Sequence, residues 1–251
     1  MAKQGRARSG SLTMTLMHVV LFVWVALIFI PILWIVFNSL KTSSSILLAP
    51  WSLPIPPQWQ NFVNAWNSAG LGRGFLNSLV ITIISIFTIV GISALPAYVL
   101  GRIKFKLNRF FYYFFVSGLM FPTFIAMAPL FLLMNSLKLL DSHFGLVLVY
   151  TAYSMPFTIF ILTAFFAGLP EDLEEAAMID GCGPFRIFFQ IMLPLAKPGL
   201  VSAAIFNFVG IWNEYVIALI LITDAKLKTL PVTLANLMMV MQYKTDFGAL
   251  Y

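Results

Sequence analysis

The sequence predicts an all-α membrane protein, a polytopic helical bundle with five transmembrane helices and the start of a sixth. Hydrophobic residues make up 61% of the 251 residues and charged residues only 10%, which excludes an ordinary soluble domain. The apolar residues are gathered in long runs. The formal net charge is +6, but the basic residues lie in short connections between these runs. Membrane orientation explains them better than binding to nucleic acid.

Five apolar runs define the predicted transmembrane helices. Each is long enough, because a helix of about 20 apolar residues spans a hydrocarbon core of about 30 Å. The first run follows Lys3, Arg6 and Arg8 but is too long for a signal peptide, so an uncleaved helix is predicted. The predicted helices cover residues 12–37, 75–100, 110–133, 144–167 and 199–222. Residues 168–197 form a polar loop, and 223–251 are expected to hold an external loop and the first residues of a truncated last helix, FGALY.

The distribution of basic residues predicts a cytoplasmic N-terminus. With that orientation, nine of the 15 basic residues lie in connections on the cytoplasmic side and six on the outer side. The densest cluster, between the second and third predicted helices, contains Arg102, Lys104, Lys106 and Arg109. The same orientation places the polar loop 168–197 in the cytoplasm.

The polar loop interrupts the apolar pattern, so it is expected to meet water or another protein. Pro170 and the acids after it favour the start of a short helix, and Gly181 favours its end. Ala176 and Ala177 contribute to a narrow stripe of small residues on which another backbone can pack closely. A second short helix is predicted from Pro184 onward. The loop holds five of the nine acidic residues of the chain, Glu171, Asp172, Glu174, Glu175 and Asp180.

Glu214 is the one acidic residue well inside an apolar run, in the motif IWNEY of the fifth predicted helix. An unpaired carboxylate there would cost about 3 kcal/mol, so Glu214 is expected to face the bundle interior or water. Two interpretations stay open. Glu214 is either a structural hydrogen-bond anchor or a group that lines a solute path together with Trp212 and Asn213.

Four prolines lie inside the other predicted helices and are expected to kink them. Each kink frees backbone carbonyls that neighbouring helices or water must satisfy. This fits a bundle around a pathway, and kinked packing alone is the equal alternative. The residues are Pro96, Pro122, Pro129 and Pro156.

Motifs of enzymatic chemistry are absent from the sequence. It contains no GxxxxGK[ST] phosphate loop, no HExxH, no GxSxG and no paired cysteine and histidine ligands. The single cysteine, Cys182, excludes an internal disulfide and is interpreted as an incidental thiol. The chain alone is therefore not expected to be an enzyme, to bind a metal or to carry a cofactor.

The spacing of residues in the polar loop resembles the EAA signature of permease subunits in bacterial ABC importers. The matching positions are Glu175, Ala176, Ala177, Gly181, Ile191, Leu193 and Pro194. NSLK at 38–41, NS at 77–78 and WNE at 212–214 give further support. Apart from the final helix, the chain is similar from end to end to the MalG-type permeases of carbohydrate importers.

This resemblance implies one transmembrane subunit of an ATP-driven importer for a sugar or oligosaccharide in the bacterial cytoplasmic (inner) membrane. In that family the EAA segment is a coupling helix that docks on a cytoplasmic ATPase, which uses ATP and Mg. A second homologous permease subunit, giving a heterodimer, and an extracytoplasmic substrate-binding protein are also implied. The implied ATPase-coupling residues are Glu171, Glu174, Glu175, Ala176, Ala177, Asp180 and Gly181.

The resemblance also implies that the outer segment, about residues 230–246, faces the substrate-binding protein. Thr233, Asn236 and Gln242 offer polar groups for this contact, and the nearby methionines can adapt to an irregular surface. A plain interfacial helix is the alternative interpretation of the segment.

Two other functions stay open beside the importer. A secondary transporter or channel that works without an ATPase would use Glu214 and the kinked helices. A membrane scaffold would carry no solute. The aromatic content of 16% is compatible with a sugar path, but aromatic residues also fill membrane interfaces and so do not discriminate.

Overall fold

The computed structural model describes residues 4–68 and 70–244, with side chains for 14–67 and 70–240. These residues form helices and no strand, which confirms the predicted all-α fold class. One compact unit consists of the residues up to 71 together with those from 234 onward, and the other of residues 72–233. The predicted truncated helix at 247–251 lies outside the described residues.

The first unit contains one long helix and two short ones. Helix α1 spans Gln4–Ser39, α2 spans Ser43–Leu48 and α3 spans Gln60–Ser68. In α1, the stretch Met14–Ser39 is apolar, and none of the residues in its most apolar window is buried. A helix that exposes apolar side chains in this way is suited to lipid.

The NSLK motif forms a hydrogen-bonded turn after α1. The buried Lys41 Nζ donates to the carbonyl oxygens of Ala49 at 3.2 Å and Pro50 at 2.8 Å. Asn61 Nδ2 donates to the carbonyl oxygens of Ser39 and Lys41, both at 2.8 Å. The bond to Ser39 satisfies a carbonyl that the end of α1 leaves free, and the others satisfy carbonyls in the turns on either side of α2, so this motif has a structural role.

Two long helices cross the second unit. Helix α4 spans Leu71–Arg102 and contains Pro96, and α7 spans His143–Ala167 and contains Pro156. Both are long and apolar enough to cross a membrane. They approach closely at Gly101, where an added Cβ would lie 2.8 Å from the carbonyl oxygen of Thr163.

The predicted range 110–133 covers two helices joined at a sharp bend. Helix α5 spans Asn108–Ser117 and continues in a 3₁₀ turn, and α6 spans Thr123–Ser136. The bend between them is 97°. Pro122 explains its position, because proline disfavours helical geometry at the residue before it and Phe121 has φ −79° and ψ 116°.

The polar loop contains α8, Asp172–Ile179, and the short α9, Pro184–Ile187. The chain then forms a π-helical segment, Phe188–Met192, and α10, Leu193–Leu195, before a bend of 69° into the next helix. The predicted range 199–222 also covers two helices, since α11 ends at Trp212. The helices that complete the chain are α11, Lys197–Trp212, α12, Val216–Leu221, and α13, Leu230–Lys244.

The second unit has two ends, which its connecting segments define. At the Asp141 end, the segment before α7 bonds to the segment after α12, since Thr223 donates to Asp141. At the Arg102 end, the last turn of α4 bonds to the polar loop through Glu174. In this unit the predicted outer connections therefore meet at one end, and the predicted inner connections at the other.

Candidate coupling and translocation sites

The turn that ends α8 explains why glycine stands at position 181. The N–H of Cys182 donates to the carbonyl oxygen of Ala177 at 2.9 Å, and the N–H of Gly181 donates to that of Met178 at 3.0 Å. These two bonds form a Schellman motif, which requires a left-handed residue at the Gly181 position. Gly181 has a φ of +78°, a conformation that costs glycine little.

The outer face of α8 combines acidic and apolar side chains. Four of the five acids of the polar loop are exposed, namely Glu171, Asp172, Glu175 and Asp180. Beside them Met178 and Ile179 are 58% and 86% exposed. Ala176 is also exposed. An apolar patch within a charged rim is the usual composition of a protein interface.

The inner face of α8 packs on its own chain. Ala177 is only 5% exposed and belongs to the core cluster of Phe166 and Phe188. The sequence assigned Ala177 to the docking stripe together with Ala176, whereas in the structure Ala176 is exposed and Ala177 is buried. The small side chain of Ala177 brings α8 close to this chain's own core.

Glu174 also faces inward. Its Oε2 atom accepts a hydrogen bond from Arg102 Nε at 3.1 Å and lies 3.0 Å from Nη2 in an ion pair. The same guanidinium group donates to the carbonyl oxygens of Leu169 at 2.8 Å and Pro170 at 3.3 Å. The side chains of Arg102 and Glu174 are 4% and 16% exposed.

A cavity of about 470 Å³ lies within the second unit, between α7, α11 and the turn at Gly118. Its lining includes hydrogen-bonding side chains and aromatic rings. Such a lining can bind a polar solute through hydroxyl groups and through ring faces. The polar lining residues are Tyr150, Tyr153, Ser154, Asn207 and Glu214, and the aromatic rings besides the tyrosines are Phe121, Phe157 and Phe206.

Glu214 sits in the break between α11 and α12, and its carboxylate has three donors. Oε1 accepts the N–H of Ile217 at 2.7 Å, and Oε2 accepts the N–H of Ala218 at 3.1 Å. Tyr150 donates its hydroxyl to Oε2 at 2.7 Å. Glu214 thus caps α12 and ties it to α7, which is the anchor role; it also lines the cavity, and its part in a solute path stays a prediction.

Trp212 and Asn213 do not line this cavity. Trp212 stacks on Phe208 with ring centroids 5.6 Å apart and meets Phe75 edge to face at 5.5 Å. Asn213 is exposed and donates to the carbonyl oxygen of Val209 in its own helix at 2.9 Å. Of the three residues predicted for the solute path, the structure places Glu214 at the cavity.

The residues predicted to contact a binding protein have different environments. Thr233 is 8% exposed, donates to the carbonyl oxygen of Thr229 at 2.9 Å and packs against Gly74. Asn236 is half-buried. The side chain of Gln242 lies outside the described residues. The contact stays a prediction for all three.

The Asp141 end is held by side chains that the sequence did not assign to a site. Asp141 Oδ1 accepts the N–H groups of Thr223 at 2.6 Å and Asp224 at 2.8 Å, and Oδ2 accepts the Thr223 hydroxyl at 2.7 Å. These bonds hold the pKa of Asp141 below its ordinary value of 3.8. The Asp224 amide contributes most and the Thr223 hydroxyl next. Each bond favours the charged carboxylate.

The NS motif at 77–78 belongs to the same end. Asn77 Nδ2 donates to the carbonyl oxygens of Lys226 at 3.0 Å and Lys228 at 2.9 Å. Ser78 Oγ accepts the N–H of Leu230, the first residue of α13, at 2.8 Å. The two motif residues therefore fix the segment between α12 and α13.

Together the fold and these sites define an all-α polytopic membrane protein with an exposed helical loop at one end of a unit whose cavity carries polar and aromatic side chains. Residues 89–250 match the family described as binding-protein-dependent transport system inner membrane component. The chain belongs to this family, which confirms the resemblance carried by residues 175–194.

Two relatives illustrate the match. The chain is 41% identical over 234 residues to the diacetylchitobiose uptake system permease protein NgcG of Streptomyces coelicolor, covering 93% of this chain and 78% of the relative. It is 34% identical over 209 residues to the melibiose/raffinose/stachyose import permease protein MelC of Bacillus subtilis, covering 83% and 75%.

A solved structure has the same fold. It is described as a bacterial ABC transporter involved in the import of the acidic polysaccharide alginate. The TM-score is 0.82, and the superposition covers 97% of this chain and 91% of that chain. The sequences are 23% identical, so the likeness concerns the fold alone.

Proposed function

We propose that this chain is a permease subunit of an ATP-driven ABC importer that carries a sugar or oligosaccharide across the cytoplasmic membrane by alternating access. Its N-terminus and the Arg102 end face the cytoplasm. A separate ATPase binds ATP and Mg, hydrolyses ATP and drives the cycle. A second, homologous permease completes the pathway as a heterodimer, and an external binding protein delivers the solute.

The observation that carries the proposal is the exposed outer face of α8. Glu175 and Asp172 point acidic groups toward solvent, while Met178 and Ile179 leave large apolar side chains uncovered. Side chains of this kind are costly to expose unless a partner covers them. A cytoplasmic ATPase with a basic rim around an apolar cleft has the complementary surface.

A carbohydrate is the solute that the cavity and the relatives favour. Neutral sugars bind through hydrogen bonds to hydroxyl groups and through stacking on aromatic rings, and the cavity offers both kinds of group. The name of NgcG includes diacetylchitobiose, and the name of MelC includes melibiose, raffinose and stachyose. In this proposal the external binding protein selects one neutral oligosaccharide before the solute reaches this chain.

Reversing one exposed charge tests the coupling to an ATPase. In the complex purified with its genomic neighbours and reconstituted in vesicles, Glu175→Lys is expected to lower solute uptake per ATP hydrolysed by about tenfold, within the usual range of coupling between sites. The matched control is Asp224→Lys, an exposed acid at the Asp141 end. Equal uptake per ATP in Glu175→Lys and the wild type would contradict the coupling role.

A secondary transporter is the second candidate, because the carboxylate of Glu214 lines the cavity. That function predicts uptake by the chain alone, abolished by an ionophore and by Glu214→Gln. The three hydrogen bonds to Glu214 favour the anchor role instead, since a carboxylate that caps α12 has few free lone pairs for an ion. Uptake that needs ATP and resists the ionophore excludes the secondary transporter.

A further inference from the structure

Arg102 is the connection between α4 and the polar loop at the cytoplasmic end of the proposed importer. It occupies the last turn of α4, and its guanidinium donates to Glu174, Leu169 and Pro170. Leu169 and Pro170 lie in the segment between α7 and α8, and Glu174 lies in the first turn of α8. One side chain therefore joins α4 to α8 and to the segment that follows α7.

The burial of Arg102 separates it from the other residues of its basic cluster. Lys104, Lys106 and Arg109 are exposed, as orientation in a bilayer requires. The Arg102 side chain is 4% exposed. Taking a guanidinium out of water is costly unless it is paired and hydrogen-bonded, so its partners are fixed by the fold.

Glu174 differs from the other acids of α8 in the same way. The carboxylates of Glu171, Asp172, Glu175 and Asp180 are left for a partner, while Glu174 is 16% exposed and bonded to Arg102. The planar fork of arginine holds Oε2 of Glu174 from two nitrogens, a geometry that lysine does not reproduce. Displacing α8 without moving α4 would break this pair and leave the buried guanidinium without its carboxylate.

The packing around the pair makes the connection stiff. Ala177 fixes the inner face of α8 to Phe166 and Phe188. At Gly101, α4 lies directly against the carbonyl oxygen of Thr163 in α7. Close-packed elements of this kind move together rather than deform.

We propose that Arg102 is the positioning residue that transmits the displacement of α8 to α4 and α7. Glu174 belongs to this internal connection and not to the surface that the ATPase covers. The inference rests on the proposed coupling role of α8 and divides its acids into two groups with different tasks.

The test measures how strongly the binding protein stimulates ATP hydrolysis in the reconstituted complex, as phosphate released per assembled ATPase. Arg102→Gln is expected to lower this stimulation by about fivefold or more. Glu174→Gln is expected to lower it as well, and the double variant no further than the worse single one, because the two residues act as a pair. Lys104→Gln, at an exposed neighbour, is the control and retains wild-type stimulation.

Wild-type stimulation in Arg102→Gln would overturn the inference, as would losses that multiply in the double variant. If Arg102→Gln does not assemble, Arg102→Lys decides in its place, since it keeps the charge and lacks the fork. Reduced stimulation in its assembled complex supports the inference, and full stimulation overturns it. If no ATPase co-purifies with the wild-type chain, the proposed function itself is contradicted.

Discussion

The two ends of the second unit hold their connecting segments in different ways. At the Arg102 end, one buried cation bonds to α8 and to the end of α7, and the outer face of α8 is exposed. At the Asp141 end, the segment after α12 is bonded by Asp141, which precedes α7, and by Asn77 and Ser78 of α4. His143 Nε2 adds a contact of 3.0 Å to the carbonyl oxygen of Leu227.

This difference indicates how each end responds to the loss of one side chain. Loss of one bond at the Asp141 end leaves several others in place, so the segment is expected to keep its position. At the Arg102 end, loss of one side chain removes the ion pair to Glu174 and the bonds to Leu169 and Pro170 together, while the packing of Ala177 remains. The polar bonds of the Asp141 end therefore come from several side chains, whereas those of the Arg102 end depend largely on one.

The largest expected effect comes from a backbone contact at the Arg102 end. In Gly101→Ala the new Cβ would lie 2.8 Å from the Thr163 carbonyl oxygen and 3.3 Å from the Ala167 nitrogen. Because these are backbone atoms, α4 and α7 must separate, at a cost of about 2–3 kcal/mol. Thermal unfolding in detergent measures this change.

Gly91→Ala is the matched control in the same helix. Nothing lies within 4 Å of its new Cβ. Since alanine favours helix over glycine, this variant is expected to be unchanged or more stable, by up to about 1 kcal/mol. Equal destabilisation of both variants would show that α4 does not depend on close approach to α7 at this end.

A smaller effect is expected from Asn77→Ala at the Asp141 end. The change removes two hydrogen bonds to backbone carbonyls at 3.0 and 2.9 Å, worth about 1–2 kcal/mol together. Hydrogen exchange is expected to increase in residues 226–230 and to stay low at Thr223 and Asp224, which Asp141 holds. If exchange increases across residues 221–230 at once, the bonds from Asn77 and Asp141 do not hold the segment independently.

A third variant tests the turn that ends α8. Gly181→Ala places a Cβ on a residue with φ +78° and is expected to cost about 1–2 kcal/mol. Gly183 has an ordinary φ of −73°, and neither glycine has a heavy atom within 4 Å of an added Cβ. Gly183→Ala is therefore the control that separates backbone strain from the added methyl group. Equal stability of the two variants would exclude the strain.

Local signals in the sequence were sufficient for the fold class and for the position of the polar loop. Gly181 and Pro170 predicted the ends of α8 because a helix stop and a helix start depend on neighbouring residues. Pro122 predicted a kink for the same reason, although not the 97° bend. The apolar runs predicted helices because lipid requires internally bonded backbone.

The partners of polar residues could not be predicted in this way. Arg102 and Glu174 are 72 residues apart, and Asn77 and Lys228 are 151 residues apart. No local pattern relates such positions, so Arg102 was assigned to orientation alone and Ala177 to a docking surface. Glu214 was recognised because an acid in an apolar run is costly, but its donors Tyr150 and Ile217 come from tertiary contacts.

The smallest expected effect is the pH dependence of the Asp141 end. Because the folded state lowers the pKa of Asp141 below 3.8, its carboxylate stabilises the turn at and above the ordinary carboxyl range. This contribution is lost as the pH falls through the lowered pKa, since protonation removes an acceptor from the amides of Thr223 and Asp224. Their hydrogen-exchange protection, corrected for intrinsic rates, is therefore expected to decrease below about pH 4 in the wild type.

Asp141→Asn supplies the comparison, because its amide keeps the size of the side chain and has no carboxylate to titrate. Protection at Thr223 is expected to be lower than in the wild type at neutral pH and to vary less as the medium is acidified. Exchange at Cys182, in the turn after α8, should be the same in both proteins, since Asp141 lies at the other end of the unit. If Asp141→Asn keeps the acid response of the wild type, another group titrates. The charge of Asp141 would then not be what stabilises this turn.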